Sequence, residues 1–238
     1  MSYGFVAYLA FLGTILYAIG FTGNMFVSKS LDSTPNVSLA NAILINCSLL
    51  LLFALQHSLM ARKSFKRIWI KFIPEPIERS TYVLLASGCL SLTMWQWQPM
   101  GGVLWTVESE SGKGLVLFLF FLGWSLVFFS TFLINHFDLF GIRQVWLYFK
   151  GRRYEQLQFS TPNLYRMVRH PLYFGFLVAF WCTPVMTVAH LLFAVLCTGY
   201  ILTAIQFEEK DLLAQFGDRY NLYRTQAPMI IPFLKKKA

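Results

Sequence analysis

Long apolar runs alternate with short polar connections along the whole chain. Four of these runs have roughly the twenty residues that a helix needs to cross a bilayer, and they lie at 4–27, 38–60, 80–98 and 114–136. Two shorter apolar stretches follow, at 172–183 and 188–207, with Pro184 between them. One long helix over 171–207 is the alternative, but proline disfavours an uninterrupted helix, so the pattern favours a hairpin of two short helices.

After Glu209, apolar residues recur on one helix face and predict an amphipathic cytoplasmic helix, which Gly217 interrupts. The predicted fold class is therefore all-α: a polytopic membrane helical bundle with four full spans, a C-terminal helical hairpin and this last helix. We expect one domain over 1–238. Its first part, 1–136, holds the four spans, and 137–238 holds a loop, the hairpin and the C-terminal helix.

The composition agrees with a membrane protein. Hydrophobic residues make up 56% of the 238 residues and charged residues only 13%, whereas soluble domains carry about 25% charged residues. The four cysteines lie inside apolar segments, and the sequence has no CxxC pair. This placement is typical of small core side chains rather than of disulfides or metal ligands, and we predict no metal site.

The net charge of +9 comes from basic connections between the apolar runs. All but two of the 20 Lys and Arg residues lie in 61–79, in 137–171 or in the tail after 207. Six crossings place all three segments on one side, so the positive-inside rule favours six crossings and cytoplasmic termini. We predict an integral protein of the bacterial inner membrane. Its partner is the lipid bilayer, with no nucleic acid and no obligate protein partner.

This topology gathers most of the proton-handling side chains at the cytoplasmic face. They are His57 at the end of the second span, His136 and Asp138 at the end of the fourth, His170 at the start of the hairpin, and Glu208 and Glu209 at its end. If the hairpin folds back on itself, its basic start and acidic end meet. Such a place suits a polar ligand that carries both cationic and anionic groups.

Each of these features also has a purely structural interpretation. Pro171 is well placed at a first helical position, and Arg169 can be a snorkelling cation at the interface. Carboxylates near a span tend to be functional or paired, so one of the two glutamates could simply balance Arg169 or Arg219. A lone interfacial histidine is usually a satisfied structural residue.

A histidine with a carboxylate partner is a suitable general base. His136 and Asp138 are two residues apart, so they share no face of a continuous helix. They could meet if the helix ends at Asn135.

A set of motifs in the last third of the chain resembles the isoprenylcysteine carboxyl methyltransferase superfamily. The motifs are Arg169-His170-Pro171 with Tyr173 and Gly175, then Glu208-Glu209, then Phe216-Gly217 with Tyr220 and Tyr223. The resemblance implies that the hairpin binds S-adenosylmethionine at the cytoplasmic face. It assigns cofactor binding to Tyr165, Arg169, His170, Tyr173, Gly175, Glu208, Glu209 and Tyr220.

Earlier segments, 56–62, 76–82 and 135–144, resemble the family of bacterial methanethiol S-methyltransferases, which are related to NnrU-like membrane proteins. This resemblance implies S-methylation of a small thiol, methanethiol, to dimethyl sulfide. We expect the catalytic residues near the thiol sulfur to be His57, His136 and Asp138, with Arg62 or Arg143 stabilising anionic character.

Two other functions remain open at this point. One is a membrane methyltransferase that acts on a lipid or on an isoprenylcysteine carboxylate. The other is a non-enzymatic NnrU-like membrane protein, in which His57 and His136 could serve as axial ligands of a haem.

Overall fold

A computed structural model describes residues 1–232 and 234. The sequence also predicts that the basic run Lys235–Lys237 lies near anionic lipid, but this run is outside the described residues. The helices within them are α1 (Ser2–Gly23), α2 (Leu39–Ala61), α3 (Lys63–Trp69), α4 (Glu75–Gln96), α5 (Glu110–Ile134), α6 (His136–Leu139), α7 (Ile142–Phe149), α8 (Leu164–Met167), α9 (Pro171–Trp181), α10 (Val188–Phe216) and α11 (Asp218–Gln226). Two short strands, β1 (Val103–Thr106) and β2 (Val185–Thr187), pair as a two-stranded sheet. The all-α membrane fold is confirmed.

The described chain falls into two compact units. Unit one consists of Met1–Trp105, His136–Gln156 and Met186–His190, and unit two consists of Thr106–Asn135, Leu157–Val185 and the described residues from Leu191 onward. The expectation of one domain over 1–238 stays a prediction.

Among the described residues, four helices are long and apolar enough to cross a membrane: α1, α2, α5 and α10. The predicted span 80–98 lies in α4, which is as long but less apolar. In unit one, α4 packs against both α1 and α2. Because α1 and α2 cover one side of it, α4 can carry polar side chains there such as the buried Ser80 and Thr93. The hydroxyl of Ser91 lies 3.0 Å from that of Thr14 on α1.

The hairpin is interrupted where the sequence predicts. Helix α9 ends at Trp181, and α10 begins at Val188 after Pro184 and the short strand β2. However, α10 runs past its predicted end at 207 to Phe216, because residues 200–216 contain no proline or glycine that would end the helix. Gly217 has a positive φ of 52° and separates α10 from α11. The predicted interruption at Gly217 is confirmed.

In unit one, a buried polar network surrounds Asp32. The fully buried His190 places Nδ1 3.4 Å from Asp32 Oδ2, and the Thr187 hydroxyl donates to Asp32 Oδ1. Asn24 donates to the same carboxylate through Nδ2 at 2.6 Å. The network ties the segment after α1 to the residues where α10 begins.

In unit two, α5 and α9 cross in close contact. A Cβ atom placed on Gly123 would lie 2.6 Å from the Ala179 amide nitrogen, and one placed on Gly175 would lie 2.7 Å from the Gly123 carbonyl oxygen. Both neighbours are backbone atoms that cannot move aside cheaply. The side of Gly175 that lacks a side chain therefore faces α5, a packing role that the motif alone does not predict.

We expect Gly123→Ala to destabilise the protein by about 1–3 kcal/mol, the usual cost of overpacking a core. Gly199→Ala is the matched control, since a Cβ there meets no atom within 4 Å and alanine favours a helix. Thermal unfolding in detergent should show a lower midpoint for the first variant and an unchanged or higher one for the second. Equal midpoints would contradict the close crossing.

Candidate functional site

The carboxylate of Glu209 joins the two ends of the hairpin in unit two. Arg169 donates from Nε to Glu209 Oε1 at 2.7 Å, and His170 Nε2 lies 3.1 Å from the same oxygen. Arg224 Nε lies 3.4 Å from the other oxygen. The expectation that the basic start and acidic end of the hairpin meet is confirmed.

Arg169 also fixes the residues that follow α11. Its Nη1 donates to the carbonyl oxygens of Arg224 and Ala227, at 3.1 and 2.7 Å, which are among the carbonyls that a helix C-terminus leaves without partners. The backbone amides of Arg169 and His170 donate to the carbonyls of Pro228 and Met229. The start of α9, the acidic turn of α10 and the segment after α11 therefore form one hydrogen-bonded cluster.

The two adjacent glutamates have different surroundings. Glu209 is buried, whereas the Glu208 side chain is 45% exposed, with Oε2 4.0 Å from His170 Nδ1. The structural alternative for one glutamate thus applies to Glu209, whose partner is Arg169 rather than Arg219. The guanidinium of Arg219 instead lies over the Phe159 ring, 5.7 Å from its centroid. Glu208 is the carboxylate that a ligand can reach.

Aromatic side chains pack beside this cluster. Tyr220, Tyr223, Phe216 and Phe159 contact one another with ring centroids 5.1–5.9 Å apart. The Tyr223 hydroxyl donates to the carbonyl of Tyr165. Burial is the main cause that raises the pKa of Tyr165, Tyr220 and Tyr223. Their hydroxyl groups therefore remain protonated at neutral pH.

The Tyr220 hydroxyl is buried and makes no hydrogen bond with any residue in the described part of the chain. Nearby carboxylates, Glu209 first and then Glu208, add to the rise of its pKa. An unpaired buried hydroxyl costs about 1–3 kcal/mol, and such groups often mark a missing water or ligand. Tyr220 therefore offers a donor to a molecule bound at this cluster.

The predicted catalytic residues all belong to unit one. The Tyr82 hydroxyl lies 3.1 Å from the ring nitrogens of His57, and the Tyr8 hydroxyl lies 2.8 Å from His136 Nε2. Burial lowers the pKa of His136, so its imidazole is neutral at neutral pH and can accept a proton. Sequence reasoning missed both tyrosines, since neither lies near its histidine along the chain.

Asp138 and Arg143 form an ion pair in unit one. Arg143 Nη1 donates to Asp138 Oδ1 at 2.8 Å and to the Glu155 carbonyl at 3.1 Å. The Tyr154 hydroxyl donates to the other oxygen of Asp138 at 3.3 Å. Helix α5 ends at Ile134, as the meeting of His136 with Asp138 requires, and that meeting stays a prediction. Arg62 links α2 to α3.

The residues that the structure adds to the predicted site are Arg224, Tyr223 and Phe159 in unit two. Tyr223 was part of the motif without an assigned role. Arg224 follows it directly, and no pattern distinguishes it from the other basic residues of the tail. Phe159 lies in an irregular segment where no periodicity can be read.

The chain is similar over its whole length to proteins named methanethiol S-methyltransferase. It is 56% identical to the one from Crocosphaera subtropica, over 100% of this chain and 93% of that protein. It is 52% identical to the one from Mycobacterium tuberculosis, over 97% of this chain and 95% of that protein. Nurim from Sus scrofa is 33% identical over 69% of this chain and 65% of its own length. No family model and no solved structure matches the chain.

The Glu209 cluster predicts a stability difference between the two adjacent glutamates. Glu209→Gln removes the charge that compensates Arg169, whose side chain is only 11% exposed, and should destabilise the protein by about 3 kcal/mol. Glu208→Gln changes an exposed side chain and should leave stability within about 0.5 kcal/mol. Thermal unfolding of both variants in one detergent checks the difference. A larger loss for Glu208→Gln would show that the assignment of the two carboxylates is reversed.

Proposed function

The chain belongs to the methanethiol S-methyltransferase family, and from that premise we propose that it is an integral-membrane enzyme which methylates the sulfur of methanethiol to give dimethyl sulfide. We propose S-adenosylmethionine as the methyl donor. The observation that supports this donor is the cluster of unit two. There a reachable carboxylate, Glu208, and an unpaired buried hydroxyl, Tyr220, accompany the start of α9.

The residues of the cluster fit the groups of the donor. The carboxylate of Glu208 suits an ammonium group or a pair of ribose hydroxyls. The first turn of α9 offers backbone amides and a partial positive charge to a carboxylate, and Pro171 has no amide there to lose. The Tyr220 hydroxyl can donate to an acceptor atom. The electron-rich face of Tyr173, whose centroid is 5.7 Å from that of His170, can attract a sulfonium cation.

Two of the predicted cofactor residues have a supporting role in this proposal. Arg169 and Glu209 form an ion pair, and Glu209 also holds His170 at the start of α9. They would determine the shape of the cofactor site, while their own charges pair with each other rather than with the ligand. The Tyr165 carbonyl accepts the hydrogen bond of Tyr223, and its uncharged ring adds to the aromatic surface of the site.

S-adenosylmethionine, when bound, supplies a methyl group that its sulfonium already activates. The chain's own residues have to deal with the thiol, which titrates near 8.5 when it resembles cysteine and reacts as the thiolate. The S–H bond must break, and we assign its proton to His136, whose imidazole is neutral at neutral pH because burial lowers its pKa. The other residues that we propose to lie near the methyl-accepting thiol are His57, Asp138, Arg62 and Arg143.

We also propose that the protein resides in the bacterial inner membrane with both termini in the cytoplasm. The charge asymmetry of the connections supports this orientation, because all but two of the Lys and Arg residues then lie on the cytoplasmic side.

The decisive experiment combines the purified full-length protein in detergent with S-adenosylmethionine and methanethiol. Gas chromatography of the headspace should detect dimethyl sulfide, and omission of either compound should abolish it. An isoprenylcysteine acceptor should remain unmethylated. Methylation of that acceptor without dimethyl sulfide would replace the proposed reaction by carboxyl methylation. A haem absorption band in the purified protein, with no methyl transfer, would support the non-enzymatic function.

Two single-atom changes test the cofactor assignment. Glu208→Gln and Tyr220→Phe should each weaken S-adenosylmethionine binding about tenfold in calorimetry, the loss expected for one hydrogen bond to a charged or buried group. Glu110→Gln is the matched control, because that carboxylate of unit two is 87% exposed and pairs only with Lys113 among the described residues. Unchanged affinity in both test variants would remove Glu208 and Tyr220 from the cofactor site.

A further inference from the structure

Unit one has two surface hollows with the same chemical character. The first, of about 390 Å³, is lined by Arg143, Leu147, Arg152, Arg153 and Glu155. The second, of about 550 Å³, is lined by Lys63, Lys66, Arg67 and Ile70. Each hollow thus combines three cationic side chains with one aliphatic side chain.

The cations of each hollow are compensated only in part. Lys66 pairs with Glu78 at 2.8 Å, and Arg143 pairs with Asp138 at 2.8 Å. Arg152 and Arg153 in the first hollow and Arg67 in the second are exposed and form no ion pair with another described residue. In the first hollow only Glu155 among the lining residues is acidic, so both hollows have a net positive charge.

Both hollows lie at the same end of unit one, where α4 begins. Helix α3 of the second hollow is held there by the Lys66–Glu78 pair. Helix α7 of the first hollow is held there through Arg79, which donates to the Leu139 carbonyl at 2.8 Å, and through Ser80, which donates to the Gly141 carbonyl at 3.3 Å. The spanning helix α2 ends at Ala61, next to α3. This end of the unit therefore lies at the level of a bilayer interface.

Large exposed apolar side chains neighbour the lining residues of both basic hollows along the chain. Phe72 is 76% and Ile68 is 59% exposed beside Ile70 and Arg67, and Tyr148 is 69% and Phe149 is 64% exposed beside Leu147. Exposed aromatic residues beside Lys and Arg are typical of the headgroup level of a membrane. Apolar surface of this kind would be unfavourable in water, but acyl chains can cover it.

We propose that each hollow binds the headgroup phosphate of an anionic phospholipid, whose acyl chains cover the adjacent aromatic and aliphatic side chains. The ligand combines a negative charge with apolar chains, and the hollows combine cations with exposed apolar residues. A soluble anion such as free phosphate would use the cations but leave the apolar rim uncovered. Arg143 belongs both to the first hollow and to the proposed acceptor side, so the variants that test the lipid change Arg152 and Arg153 instead.

Native mass spectrometry of the full chain in a nonionic detergent tests the proposal with three probes. These are phosphatidylglycerol, phosphatidylcholine of the same acyl chains, and glycerophosphoglycerol, which is the first headgroup without chains. The protein should retain two molecules of phosphatidylglycerol in preference to the other two probes.

Paired variants then assign the two sites. Arg152→Gln with Arg153→Gln should remove one retained lipid, and Lys63→Gln with Arg67→Gln should remove the other. Each cation near a membrane surface contributes about fivefold in affinity, so each pair should weaken its site about 25-fold. Lys113→Gln, which removes an exposed cation of unit two, is the control and should retain both lipids. Arg152→Lys with Arg153→Lys should restore the first site.

Three results would overturn the proposal. Equal retention of phosphatidylglycerol and phosphatidylcholine would show that charge plays no part. Retention of both lipids by both paired variants, with unchanged thermal unfolding, would place the lipids elsewhere. Equal retention of the chain-free headgroup would identify the hollows as sites for a soluble anion.

Discussion

The arrangement of unit two depends on one buried carboxylate. Glu209 accepts from Arg169 and His170 and pairs with Arg224. Removing these charges from water is unfavourable for each alone, and it is compensated only when all of them are present with good geometry. The Glu209 carboxylate thus holds together the start of α9, the acidic turn of α10 and the end of α11. Any ligand bound there meets a surface whose shape has already been set.

The same helix that buries Glu209 makes its neighbour available. Adjacent residues of an α-helix point about 100° apart, so a glutamate directed into the cluster leaves the preceding one at the exposed edge of the cluster. Because α10 continues through both residues without interruption, the direction of Glu208 follows from that of Glu209. A structural carboxylate and a ligand-accessible one are therefore produced by two consecutive identical residues. This is a reason for a paired acidic motif that does not require both members to touch the ligand.

The sequence predicted where the helices end better than which side of each helix packs against protein. Pro184 and Gly217 act locally, and both divide the helices where expected. Which side of a helix faces protein is a different matter, because α1, α2 and α5 are apolar nearly all round and have no hydrophobic stripe to read. For that reason the partners of His57 and His136, and the contact of Gly175 with α5, could not be predicted. The meeting of His170 with Glu209 could, since charged groups at a hairpin's two ends have few other partners in a membrane.

Tyr220 is stronger evidence for a ligand than three other unpaired polar groups of the described chain, those of Gln56, Gln144 and Trp124. Gln56 and Gln144 each leave a carbonyl oxygen unpaired, but their amide nitrogens do form hydrogen bonds. Trp124 leaves an indole N–H unpaired among phenylalanine rings, where acceptors are scarce. Tyr220 differs, because two carboxylates are near enough to influence its pKa and yet it donates to neither. The hydroxyl thus has no hydrogen-bond partner among the described residues. A bound molecule with an acceptor atom would satisfy it, and the accessible carboxylate of Glu208 is close by to hold the same molecule's positive charge.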